Sequence, residues 1–231
     1  MHTLWRYIES RDGEPVLKES GQPIAEVVAR LEQGGIAEVL RGPFVLQPVE
    51  VVAALGFDAL GDDSPENGPA LVQTRPRRPA LELACGEKAI AELFPQASRP
   101  ARLGLAAGLL QIHDFWDASH KAAQEADDLG ESLVSPYWHG IAHRREPDAG
   151  NATYWFRRVG RHKLFGPLAA SSRPLIERAD PSLLSRLLPG GNWDPFAFIA
   201  FCDSGRSSSA ELALALQRLE MTILLEASIP S

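Results

Sequence analysis

The chain has 231 residues, 45% of them hydrophobic and 23% charged, which is enough to bury a substantial core without a disulfide. Its net charge of −7 argues against a general nucleic-acid binder, since such proteins neutralise phosphates with a basic surface, and no apolar run approaches the roughly 20 residues that span a bilayer. Cys85 and Cys202 lie in apolar runs without metal or redox spacing and read as reduced core thiols, which with the polar opening MHTLWRYIESRDGEP points to a soluble, untargeted, cytoplasmic protein.

Residues 1–21 carry Trp5 and Tyr7 among charges, with Asp12-Gly13 and Ser20-Gly21 as turn signals, and read as a short strand or helix pinned by its aromatics. The first clear helix is Pro23 to Gln33, with Ile24, Val27, Val28 and Leu31 on one stripe and glycines just past its end. A second runs from Pro48 to Leu55 and stops at Gly56. Residues 61–79 concentrate Asp, Gly, Pro and Asn, a composition that punctuates rather than packs, so they predict an exposed loop between an irregular N-terminal helical portion, 1–79, and a main body, 80–231. Within the body the pattern predicts a helix over 80–94 and a long one from Ala101 to Leu129. Shorter helices follow from Ser135 to Glu146 and from Ala149 to Arg158, the second capped by Asp148. Short helices at 175–177, 181–188 and 195–202 come next, and then an apolar helix over 209–227 that should pack on the long one. Strand signals are nearly absent, so the expected fold is a mainly α-helical (all-α), bundle-like single domain.

One stretch, His113 to His162, holds five of the 6 histidines and three of the 5 tryptophans. Buried polar groups must find partners or lower stability, so this density predicts a site. On the long helix His113, Asp117 and His120 share a stripe at i, i+4, i+7. On the helix from Ser135, His139, His143 and Glu146 repeat that spacing. If the two helices fold back as a hairpin, the stripes can converge, with His113, Asp117, His120, His139 and His143 as ligands to a divalent ion (zinc or similar) and with Glu146 and His120 as proton carriers. The bland alternative is a solvated polar face. The peptidase reading fails, because no glutamate directly follows His139 as the H-E-x-x-H helix requires.

A second constellation is cationic. Arg144, Arg145, Arg157 and Arg158 can cradle an anionic small molecule bidentately, with Asn151, Tyr154 and Trp138 completing a substrate site, or they can pair with Glu146, Asp148, Asp127 and Asp128 as an internal network. A tryptophan here walls a ring-shaped substrate or fills the core.

The motifs HDFWDASH (His113 to His120), YWHGIAHRREPD (Tyr137 to Asp148) and NATYWFRRVG (Asn151 to Gly160) resemble an uncharacterised, mostly bacterial family with the pattern H-D-F-x-D-x-S-H, Y-W-H-G-I-x-H-R-R-E-x-D and N-A-x-Y-W-F-R-R-V-G. The likeness covers these segments and implies membership without bringing a reaction. The functional expectation is a metal-assisted hydrolase acting on a small anionic or sugar-like substrate. The alternative is a non-enzymatic helical ligand-binding or interaction module.

Overall fold

The computed structural model describes residues 3–41, 45–61, 68–204 and 209–230. The architecture is mainly α-helical, as the periodicity predicts.

The chain opens with a short 3-10 helix, Thr3–Tyr7, whose Trp5 packs edge-on against Phe57, and a hairpin follows directly. β1 (Ile8–Arg11) pairs antiparallel with β2 (Glu14–Leu17), with Ile8 opposite Leu17, and Asp12 and Gly13 both take positive φ, which a tight hairpin turn requires. α1 (Ile24–Gly34) buries the predicted stripe, and α2 (Ile36–Leu40) follows directly. α3 (Pro48–Leu60) does not stop at Gly56: Val51, Val52, Leu55, Ala59 and Leu60 are buried on either side of it, and that packing outweighs the roughly 1 kcal/mol helix penalty of one glycine.

Residues 62–67 of the expected loop lie outside the described residues, but 68–74 are pinned rather than free. Gln73 donates its backbone N–H to Arg145 O at 2.8 Å, and Gln217 Nε2 donates to Pro69 O and Ala70 O. The expected 80–94 helix is two pieces, α4 (Glu82–Cys85) and α5 (Glu87–Leu93), parted by an extended Gly86.

The long helix is also two. α6 (Arg99–Ile112) is capped by Ser98 and ends before His113, and α7 (Trp116–Asp128) starts after Phe115. Between them Asp114 adopts φ +66°, a left-handed conformation that Asp tolerates better than most residues, and the chain reverses. Ser119 Oγ then ties α7 back onto α6 by donating to Ala107 O at 2.8 Å. Glu131 accepts the backbone N–H groups of Leu133, Val134 and Ser135 and so seeds α8 (Ser135–Arg145).

Every residue of α8 is buried. It packs against α6, α7 and α9 (Ala149–Val159), whose cap is Asp148 as predicted. α10 (Phe165–Ala179) is a full helix with Pro174 inside, where the spacing predicts only a short piece, and it is followed by α11 (Leu184–Leu187) and α12 (Pro195–Ser204).

α13 (Ala210–Ser228) packs on α3, α6 and α10. One apolar cluster joins Leu4, Val28 and Val52 to Leu105, Ile141 and Leu224, so residues 1–79 share a core with the body. A second gathers Leu168, Ile176, Trp193, Phe198 and Leu216. No helix among the described residues is long and apolar enough to cross a membrane.

Candidate functional site

α7 and α8 run antiparallel. Trp116 Nε1 donates to Ala142 O at 2.9 Å, and one helical turn further along α7 His120 meets His139, one turn earlier on α8. From the first stripe His120 therefore faces the α8 histidines, and because α8 is buried throughout, those histidines are not a solvated face.

His120 Nε2 and His139 Nε2 lie 2.8 Å apart, so one nitrogen donates the proton that the other accepts. His143 completes the group, its ring stacked parallel to His139 and edge-on to His120, with centroids 5.1 and 5.0 Å away. One nitrogen from each of His120, His139 and His143 lies within 4.8 Å of the others, close enough to share a metal ion. His143, Glu146 and Asp148 form a second such group.

Indoles fix the rings. Trp155 of α9 stacks on His139 at 3.7 Å between centroids, and Trp116 stacks on His120 at 5.0 Å. Burial, and then the neighbouring His120 and His143, push His139 down to about 3. Burial also lowers His120, with His143 adding to the effect and Glu146 and Asp117 opposing it. Both rings are neutral at physiological pH, the protonation state that leaves a nitrogen lone pair for a metal. His139 Nδ1 has no hydrogen-bond partner among the described residues, so this buried ring is retained at some expense in stability.

Glu146 is adjacent but engaged. Its Oε2 accepts from His143 Nδ1 at 2.9 Å, which leaves Nε2 as the His143 atom that can join the other imidazoles. In this arrangement Glu146 orients the His143 ring rather than standing free as an acid or base.

His113 does not belong with Asp117 and His120. The helix break puts it in the turn, where it is buried and its Nε2 donates to Leu55 O at 3.1 Å, and burial pushes it down to about 4. Asp117 is exposed on α7 and reaches His120 through its charge; among the described residues neither His113 nor Asp117 is in a group able to share an ion.

The arginine cradle is not formed by Arg144 and Arg145. Arg145 is buried and donates to Ala70 O, Gln111 O and the Asp114 carboxylate, which also accepts from Thr74 Oγ1. Arg144 lies over the Phe198 ring and approaches Glu220 Oε2 to 2.6 Å, off the hydrogen-bonding direction, while Tyr137 donates to Glu220 Oε1.

Arg158 is half-exposed, holds both Asp127 oxygens through Nη2 at 2.8 Å and lies over Trp155. Arg157 is exposed. Asn151 is exposed too and serves the Asp148 cap, donating to it through N–H and Nδ2, while Tyr154 is exposed and edge-on to Trp155. Trp138 is core: it is fully buried and donates to Ser228 Oγ at 3.0 Å, so no substrate meets it.

Asp114 and Trp116 lie outside the predicted stripes yet shape the site. Asp114 directly follows His113, and Trp116 directly precedes Asp117. The helix break brings Asp114 to Arg145, whereas Trp116 stands at i, i+4 from His120 on α7, a spacing legible in the sequence.

No protein-family model matches the chain, and neither does any curated protein or solved structure.

Proposed function

We propose that the chain is a metal-dependent hydrolase in which His120, His139 and His143 hold one divalent ion. The observation that carries this reading is the 2.8 Å approach of two neutral imidazole nitrogens with a third imidazole in reach. An ion holding both nitrogens at about 2.0–2.1 Å subtends roughly 90° at that spacing, the cis angle of an octahedral or square ligand set. Three imidazole ligands would leave a bound ion its full charge, and such an ion would activate a water as nucleophile. Glu146 holds the His143 tautomer, and Trp116 and Trp155 fix the other two rings.

The substrate we favour is small, neutral and sugar-like rather than anionic. Arg144 and Arg145, which suggested an anion, are paired internally, and the side chains around the cluster include the carboxylates of Asp117, Glu146 and Asp148.

A second reading, a non-catalytic module in which the ion is structural, draws support from the almost complete burial of His139. Protein purified without a metal-affinity tag should contain close to one equivalent of a divalent element and release p-nitrophenol from a panel of p-nitrophenyl glycosides and esters. His139→Ala should lose both. Absence of any stoichiometric element overturns the metal site, and a full complement of metal without turnover selects the structural reading.

A further inference from the structure

Among the described residues the two groups able to share an ion have one residue in common, His143. Its Nδ1 faces Glu146 Oε2 at 2.9 Å, which leaves Nε2 for His120 and His139. Asp148 lies beside Glu146 because the chain turns directly after α8: its N–H donates to His143 O at 3.0 Å, and Asn151 donates to both of its oxygens, holding the carboxylate in one orientation with lone pairs to spare. The spacing from Nδ1 to Oε2 is again that of two cis ligands of one ion with bonds of about 2.0–2.1 Å.

We propose that this end of α8 is a second metal site and that His143 bridges two divalent ions, the inner one held by the three imidazoles and the outer one by His143 Nδ1, Glu146 and Asp148. The proposal rests on the three-histidine reading. Binding of the outer ion forms a bond to Nδ1 and releases the Nδ1 proton to solvent, so His143 becomes a bridging imidazolate with a charge of −1. That anion and the two carboxylates offset most of the charge of two divalent ions about 6 Å apart, a separation set by the width of the ring and two bonds of about 2 Å. The inner site, built of neutral ligands on buried helices, fills first. The outer site is open to solvent through Glu146 and exchanges its ion faster.

The site is tested by equilibrium dialysis of the metal-free full chain against excess Zn²⁺, and by EPR of the chain titrated with Cu²⁺. The native chain should bind two equivalents, and the second equivalent of Cu²⁺ should reduce the signal of the first through coupling across the imidazolate. The double variant Glu146→Gln, Asp148→Asn keeps an N-cap on α9 and should bind one equivalent, with the affinity for a second at least tenfold weaker. One equivalent in the native chain, two undiminished equivalents in the double variant, or two Cu²⁺ signals without coupling each overturn the bridged pair while leaving the inner site intact. Binding of no metal at all overturns the inner site as well.

Discussion

Arg145, on α8, donates to the carboxylate of Asp114, which occupies the break between α6 and α7 in a left-handed conformation. Both residues are buried, and the guanidinium also satisfies the carbonyls of Ala70 and Gln111, so one side chain fastens the 68–74 segment, the end of α6 and the start of α7 to the helix that carries His139 and His143. Removing the guanidinium leaves Asp114 charged and buried. Arg145→Ala should therefore lower stability by about 3–5 kcal/mol. Exposed Arg157→Ala should stay within about 0.5 kcal/mol of the native chain. Urea unfolding followed by far-UV circular dichroism checks both; a small effect at Arg145 would show that the break holds without its ion pair.

His113 predicts an acid-sensitive fold. Burial pushes its folded-state pKa down to about 4 from an ordinary 6.5. Above 6.5 both states carry the neutral ring, and its contribution is intact. Between 6.5 and 4 the unfolded chain takes up a proton that the folded chain refuses, so stability falls as pH falls, by on the order of 3 kcal/mol across that window. Gln at this position can still donate to Leu55 O but does not titrate. The urea midpoint should thus drop less between pH 7 and 4 in His113→Gln than in the native chain, and parallel profiles would count against the assignment.

Gly140 lets α8 and α9 approach closely: a Cβ there would lie 2.9 Å from the Phe156 ring. Gly140→Ala should cost about 1–3 kcal/mol by overpacking. It should also push α9 outward and loosen the Trp155 stack on His139, with a near-UV dichroism change and weaker metal retention.

Gly108 does the same for α6 and α8, where a Cβ would sit 2.7 Å from the Trp138 indole. Trp138 is fully buried and cannot swing away. Gly108→Ala should destabilise by a similar 1–3 kcal/mol without altering the Trp155–His139 stack. Thermal melts of the two glycine variants, each with metal content measured, separate the packing effect from the effect on the site.

Sequence by itself determined what is local. The bounds of α1 and α9 and the start of α8 follow from Pro, Gly and Asp punctuation, because caps and breakers act within one turn of where they stand. The i, i+4 pair His139 and His143 on one helix face was fixed in the same way. Tertiary structure alone decided the rest. The break at Asp114 has no local breaker; the residue that accommodates it, Arg145, lies 31 positions further on and belongs to another helix. α10 continues through Pro174 because Leu168, Ser172 and Ile176 are buried on one face, and packing overrides the penalty of a proline. Because α7 starts afresh after that break, His120 meets the α8 histidines while His113 turns to Leu55. Arg144 and Arg145 became internal partners of Glu220 and Asp114 because a buried charge is stable only beside its counter-charge, and only the assembled helices put those carboxylates within reach.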